Sequence, residues 1–485
     1  MSGIPALAAH PGTTPPPGLD WIHPAASVTE HAMTGTRVLT AADLCALAEE
    51  RTADWASLGA GPGDRVVVAT GSRLSTLLDL MAAWQLDLVP VLLSDQLAPE
   101  SYRILAEATG ARAARGTPAV ARSWGERAVV VRQDNHSALA ALTPPDGGLC
   151  GSERQLPLGE PALVLATSGS TGLPKAVVHS RANLLRNAQM HWNSVGAPGP
   201  EGRYLLSQSM HFSSALVCGV LGVLARGMQL ALMEPPFSTS NWFAAAREHE
   251  TTHTALTPHL LLRVLDGSDP LPTSLRQITV GGDRLGRTAL GELRGRGVPE
   301  VFSTYGLTEA GPRVATNPLG RTHHPEGLGT PLAGVRLELR PTAGTRDGMG
   351  ELVVHTPTAQ LGTYRDGGYV PYPLGGEVPT GDLGERLDNG GIRLVGRSRR
   401  VASVNGEKIY LGLVERVLAQ HPDVVAARVE PDPEAATQLA AEILYRPGVG
   451  SLDATALRRW CRGRLRAVEV PRRFTAVDAV TRLSK

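Results

Sequence analysis

Leu163-Val164-Leu165-Ala166-Thr167-Ser168-Gly169-Ser170-Thr171-Gly172-Leu173-Pro174-Lys175-Ala176-Val177-Val178-His179-Ser180 is the stretch on which the reading of this chain turns. Its first residues form an apolar run and Val177-Val178 a second, β-branched one. Short apolar runs bounded by Gly and Pro read as buried strands, and the polar segment between them as a loop. Gly169 and Gly172 let the backbone come close to a ligand, and successive N–H groups can form an anion-binding concavity. The hydroxyls of Thr167, Ser168, Ser170 and Thr171 and the Lys175 ammonium add donors, so the loop suits a polyphosphate. Its spacing is not Gly-x-x-x-x-Gly-Lys-Ser/Thr before a helix, the P-loop pattern. Here Pro174 separates Gly172 from Lys175, and a strand follows.

Lysine usage singles out the same place. Of 47 basic residues only three are lysine: Lys175, Lys408 and Lys485. Arginine therefore serves for ordinary surface charge, and a site that keeps lysine asks for a compact, rotatable ammonium in place of a planar guanidinium. The wider composition sets bounds. A length of 485 residues predicts two or more domains, and 42% hydrophobic with 19% charged residues fits a soluble globular protein. A net charge of +1 gives no pointer to nucleic acid or a charged membrane, and 4% aromatics argue against base-stacking platforms. Cys45, Cys150, Cys218 and Cys461 are scattered, which speaks against a thiolate metal site or a disulfide framework. The Ala/Pro/Gly-rich start, Met1 to Gly18, lacks a basic and then apolar pattern and reads as an unstructured lead-in. Residues 215–224 are too short an apolar run for a membrane span. A cytoplasmic chain is expected.

Outward from the loop, strands and helices alternate. Helices are expected over 41–60, 73–86 and 101–110, and strands over 65–69, 88–93 and 128–131, which argues for a mostly parallel sheet. Thr143 to Pro157 is a connector. Ser180 is an N-cap candidate for a helix to about Ser194. A strand over 204–212, a helix over 215–225, a helix over 254–265 and a strand over 275–285 follow.

The string Thr167 to Lys175 closely resembles the phosphate loop of the adenylate-forming superfamily, which contains acyl- and aryl-CoA ligases, peptide-synthetase adenylation domains and luciferases. Ser303-Thr304-Tyr305-Gly306-Leu307-Thr308-Glu309 resembles its Tyr-Gly-x-Thr-Glu motif. The resemblance implies that Glu309 holds Mg²⁺, that Thr308 touches the α-phosphate and that Tyr305 lies against adenine. One or two carboxylates plus phosphate oxygens are what Mg²⁺ takes. Val280-Gly281-Gly282-Asp283 resembles the Gly-Gly turn beside the adenine and acyl sites, and Met210-His211-Phe212 the acyl wall. For His211, a pocket role and a satisfied loop histidine both stay open. Thr380-Gly381-Asp382 resembles the ribose-binding Thr-Gly-Asp, since one carboxylate accepts two hydroxyls. Arg397 fits the family's ribose-binding arginine at the start of a hinge, where Arg399 and Arg400 replace the usual acids. Gly406-Glu407-Lys408-Ile409 resembles a stretch that faces the site after the hinge turns. Val480 to Lys485 resembles the terminus that carries the adenylation lysine, with Ser484 in place of glycine.

The resemblance implies an α/β fold: a large N-terminal domain, 1–396, of layered α/β sheets plus a β-barrel-like subdomain, and a small mobile α+β domain, 397–485. Residues 397–485 hold 16 Lys/Arg and 10 Asp/Glu, a basic lid. The implied chemistry is ATP-dependent activation of a small carboxylic acid as acyl-adenylate, with Lys485, Glu309, Thr308 and Lys175 catalytic, followed by thioester formation with CoA. Transfer to an acyl carrier protein or another nucleophile is the alternative. Activation of an oxyanion such as nitrite, or a non-catalytic nucleotide-binding relative, are others.

Overall fold

The computed structural model describes residues 18–477, apart from 33–34, 71–72, 96, 98, 125–127, 136, 143–161, 168–174, 197, 268, 283–284, 286, 320–325, 343–346, 366–367, 374, 398–400, 405–406, 433–434, 447–452, 463 and 466. The chain divides into two compact units. The first takes Met1–His323, Gly329–Val335 and His355–Glu377; the second takes His324–Leu328, Arg336–Val354 and Val378–Lys485.

Two nine-stranded sheets build the first unit. One runs in the order Gly368–Pro371, Gly362–Arg365, Lys175–Ser180, Ala162–Thr167, Val89–Leu92, Arg65–Ala69, Ala113–Gly116, Ala138–Leu142, Ala128–Gln133. Its middle pairings are parallel and its outer ones antiparallel. Val66, Val67 and Val68 are all buried, the unbroken apolar reading of a strand covered on both faces. The other sheet runs Thr330–Pro331, Arg313–Leu319, Glu300–Gly306, Gln277–Gly281, His253–Leu256, Arg203–Leu206, Gln229–Met233, Ser27–Ala32, Gly35–Thr40.

Helix ends follow local chemistry. Thr40 and Asp43 form a capping box for Ala41–Ser57. Ser180 accepts from the Asn183 N–H to cap Arg181–Val195, which ends on left-handed Gly196 (φ 69°).

Three expectations need correction. The strand expected over 204–212 is only Arg203–Leu206, because the next two carbonyls go elsewhere. Arg73 donates to Ser207 O at 2.9 Å and to Gln208 O at 3.0 Å. The helix expected over 254–265 is a strand, His253–Leu256, and then a helix, Pro258–Asp266. Thr257 caps the Leu260 N–H and Pro258 takes the first turn, so the preceding residues are held extended. Within the helical stretch after Phe212, Val217–Leu221 is a π segment. Trp192 Nε1 donates to Cys218 O at 2.9 Å there, and a Cβ on Gly222 would lie 2.7 Å from the same indole.

In the second unit, Arg336–Arg340, Met349–His355, Glu377–Arg386 and Ile392–Arg397 form a four-stranded sheet where the resemblance implies a β-barrel-like part. A hairpin of Val401–Val404 and Glu407–Tyr410, the helix Leu411–Ala419 and a three-stranded sheet of Val424–Asp432, Ala435–Tyr445 and Arg473–Ala476 follow. One apolar core runs from Met349 and Leu383 through Val414, Ile443 and Phe474. The helix Ala454–Arg462 buries Leu457 and Cys461 in it and ends in Arg459 and Arg462. No helix among the described residues is long and apolar enough to cross a membrane.

Candidate active site

The hairpin of Ala162–Thr167 and Lys175–Ser180 is in register, with Thr167 opposite Lys175 at its open end. It fixes both ends of the phosphate-loop stretch; Ser168, Gly169, Ser170, Thr171 and Gly172 lie outside the described residues. Down the second strand His179 is fully buried, and its Nε2 lies 2.7 Å from the Thr308 carbonyl oxygen. Burial pushes the His179 pKa down to about 4, against the pull of that carbonyl. The ring is therefore neutral near pH 7, and Nε2–H donates to Thr308.

Thr308 is thereby joined to the phosphate hairpin. Its own hydroxyl lies 2.9 Å from the Ser213 hydroxyl, on the helix after His211-Phe212. The short helix Thr308–Ala310 is held further by Gln360 N–H on Glu309 O and by Thr358 Oγ1 on Ala310 O, both at 2.9 Å. Asn187, buried on the helix after the hairpin, closes the far side. It accepts from Arg313 N–H and donates to Arg313 O, each at 2.9 Å. Four chain segments thus converge on one turn.

Glu309 is half-buried on that turn, and among the described residues its carboxylate makes no hydrogen bond or ion pair. No cluster of three His, Cys, Asp or Glu stands among the described residues either. An unengaged single carboxylate fits Mg²⁺, which binds through one or two carboxylates and substrate phosphates, and does not fit a metal caged by protein alone.

Around the turn, Gly306 cannot be anything larger, since a Cβ would stand 2.0 Å from Pro312 O. Thr304 is buried and donates to Val280 O at 3.1 Å, tying the motif strand to the Gly281 turn. Ser303 and Tyr305 are half-buried on the same strand. Gly282 has φ 91°, a conformation glycine adopts freely, and Asp283 lies outside the described residues. His211 Nδ1 lies 2.8 Å from Ser209 Oγ, and burial drives its pKa to about 4. Phe212 packs at a tilt against His211 with centroids 4.1 Å apart, yet is 53% exposed.

The second unit holds the other motif residues. Asp382 and Arg397 are register partners on neighbouring antiparallel strands. Asp382 is buried, and its N–H donates to Thr380 Oγ1 at 2.9 Å. Lys408 stands on the strand Glu407–Tyr410, opposite Ser403. Arg399, Arg400 and Lys485 lie outside the described residues.

Sequence reasoning missed His179, Asn187, Ser213 and Arg313. His179 stood inside the quoted opening stretch and Ser213 directly after Phe212, but their partners lie 129 and 95 residues away.

Known proteins resemble this chain in sequence and in fold. A 2-succinylbenzoate–CoA ligase of Bacillus velezensis is 27% identical over 426 residues, 87% of this chain and 85% of the relative. The fold matches o-succinylbenzoate CoA synthetase of Bacillus subtilis, solved with its acyl-adenylate intermediate. The TM-score is 0.75 at 21% identity, over 93% of this chain and 92% of that one. An amide bond synthetase of Marinactinospora thermotolerans gives a TM-score of 0.76 at 24% identity, over 95% and 94%. The AMP-binding enzyme family model matches residues 25–364, which takes in the phosphate hairpin, the Gly281 turn and Glu309; the chain belongs to that family.

Proposed function

We propose that this protein activates a small carboxylic acid with ATP and Mg²⁺ as an acyl-adenylate and then transfers the acyl group to CoA. The observation that carries the reading is the Thr308–Glu309 turn. It is pinned by His179 and Ser213 beside the Lys175 strand, with the Glu309 carboxylate left unengaged. The CoA-ligase relatives support the same reading.

The residues divide the work. Lys175 and the donors of 167–172 hold the β- and γ-phosphates. Thr308 donates to the α-phosphate, and Glu309 holds Mg²⁺, which supplies charge neutralisation. Tyr305, Ser303, Thr304, Gly306 and the Gly281-Gly282-Asp283 turn cradle adenine. Asp382 and Arg397 take the ribose hydroxyls. His211, Phe212 and Gly281 line the acid. Catalysis of the first half is positioning and electrostatics. Lys485 bridges the attacking carboxylate and the α-phosphate. The segment from Arg397 onward turns about 397–400 between the halves, bringing Lys408 to the site. A cytoplasmic location supplies both ATP and CoA.

Pyrophosphate exchange with an acid panel tests the first half, and thioester formation with and without CoA the second. Acid-dependent exchange that Lys485→Ala abolishes is the expected result; exchange with no acid at all overturns the assignment. A second acceptor has one observation in its favour. Arg399 and Arg400 stand where the family hinge carries acids. Adenylation that proceeds to amide, or to a carrier-protein thioester, without CoA would identify it.

A further inference from the structure

Arg313 is the buried charge that the activation chemistry leaves unused. It is 5% exposed and opens the strand directly after the Thr308–Ala310 turn. Its backbone is fixed by Asn187 and by pairing with Gly306. The guanidinium lies under the Gly281 turn, where a Cβ on Gly281 would be 2.7 Å from Nη1. Nη1 donates to the Thr304 hydroxyl, which spends its own hydrogen on Val280 O. Nε is buried and has no hydrogen-bond partner among the described residues.

Among the described residues no carboxylate pairs with this guanidinium. Its polar neighbours are the Cys218 thiol, the Tyr204 hydroxyl and the His191 ring. Burial raises the thiol and the phenol above their ordinary pKa values and holds the imidazole, which Arg313 also repels, well below its own. All three stay neutral near pH 7. An arginine out of water with only neutral neighbours is costly, and the cost falls once an anion meets it with hydrogen bonds. Planar guanidinium and planar carboxylate match in bidentate geometry. Two of its contacts, Gly281 and Thr304, border the pocket assigned above to the acid and adenine.

We propose that Arg313 binds a second carboxylate, or an equivalent oxyanion, on the acid that this protein activates, making its substrates diacids in preference to monoacids. The inference rests on the adenylation reading for its site but not for its binding event. One carboxylate is presented to ATP at Thr308, and the other remains unreacted on Arg313 as an anchor.

The test is pyrophosphate exchange with matched pairs: butanoate against succinate, hexanoate against adipate, and benzoate against the three benzenedicarboxylates. Wild type is run beside Arg313→Met, which keeps length and apolar packing, and Arg313→Lys. In wild type, kcat/KM for the best diacid should exceed its matched monoacid by about tenfold or more. Arg313→Met should lower the diacid value about 100-fold, as loss of a hydrogen-bonded charge does, and leave monoacids within about threefold. Arg313→Lys should recover part of the loss. The thermal midpoint of Arg313→Met should stay near that of wild type, because the charge it removes has no counter-charge among the described residues.

Wild type favouring every monoacid over its matched diacid overturns the proposal, whether or not the variants fold. So does an Arg313→Met that loses both classes equally with a lowered midpoint, which marks a structural arginine. Should no acid support exchange, the adenylation reading fails and binding still decides the anchor. A thermal shift by the diacids that Arg313→Met removes upholds it, and no shift in wild type refutes it.

Discussion

Two charge clusters of the first unit each enclose a buried charged group, Asp79 in one and Arg313 in the other, and are differently balanced. On the helix Arg73–Gln85, Asp79 is fully buried and ion-paired with Arg51 and Arg115, each at 2.9 Å. Arg115 also reaches Asp54, which takes Arg132 as well, and its guanidinium lies 5.7 Å from the Trp55 ring centroid. Acids and bases there answer one another within the protein. At the Thr308 turn the backbone is as firmly held, yet the Glu309 carboxylate and the Arg313 guanidinium have no opposite charge among the described residues. Burial with closed pairing builds scaffold; burial with an open balance asks for a ligand to close it. Enclosure alone does not separate the two.

The largest expected effect breaks the open side. Glu309→Gln keeps size and loses charge, and should cut adenylation turnover by about 10³-fold or more, several kcal/mol of lost electrostatic stabilisation. Its thermal midpoint should match wild type, since nothing described is bonded to that carboxylate. Undiminished pyrophosphate exchange in this variant would erase the distinction between the clusters. Next comes the closed side. Asp79→Ala takes the carboxylate from Arg51, leaves Arg115 with Asp54 alone, and should cost about 3 kcal/mol of stability, read from urea midpoints. The turnover of the folded fraction should be unchanged; a kcat loss at full folding would make Asp79 part of the site.

A smaller effect sharpens the link between hairpin and turn. The folded pKa of His179 is about 4 against roughly 6.5 unfolded, so the folded state resists a proton that the unfolded chain accepts. Above about pH 6.5 the group leaves stability untouched, and from there down to about pH 4 stability falls. The slope is about 1.4 kcal/mol per pH unit for one histidine. His179→Gln retains a donor for Thr308 O and cannot charge, so its stability should decline less steeply by one proton over that window. Equal slopes for both proteins would show that His179 is already protonated in the fold.

Legibility in the sequence followed range. Ser180 reads as a helix start because a cap is a matter of three residues. The hairpin 162–180 was readable because its apolar runs flank a loop of small residues. Pro258 offered the signal that would have ended the misplaced helix over 254–265, but a short apolar run such as Thr254–Leu256 looks alike in either state. Glu309 and Asp382 came from motif strings, whereas the groups that position Thr308 arrive from elsewhere in the chain. Asn187 meets Arg313 across 126 residues, and no local pattern announces such a meeting. Nor could composition show that Phe212 is half exposed, or that Arg313 lacks a counter-charge among the described residues, because both are properties of the packed surroundings.

The smallest effect is the most discriminating. Ser213 and Thr308 share a hydroxyl–hydroxyl bond of 2.9 Å between the acid-wall helix and the motif turn. One such neutral bond is worth about 0.5–1.5 kcal/mol, so Ser213→Ala should lower kcat/KM about two- to tenfold. The site of the loss matters more than its size. If Ser213 orients the Thr308 hydroxyl toward the α-phosphate, kcat should fall while the KM for the acid holds, because the oriented donor acts as charge develops. If Ser213 touches the acid itself, its KM should rise. A double-mutant cycle separates these without a structure of the complex. In a Thr308→Ala background Ser213 has no hydroxyl left to orient, so adding Ser213→Ala should change kcat/KM little. Full additivity of the two losses would mean that Ser213 works independently of Thr308, and that the wall helix is joined to the turn by packing alone.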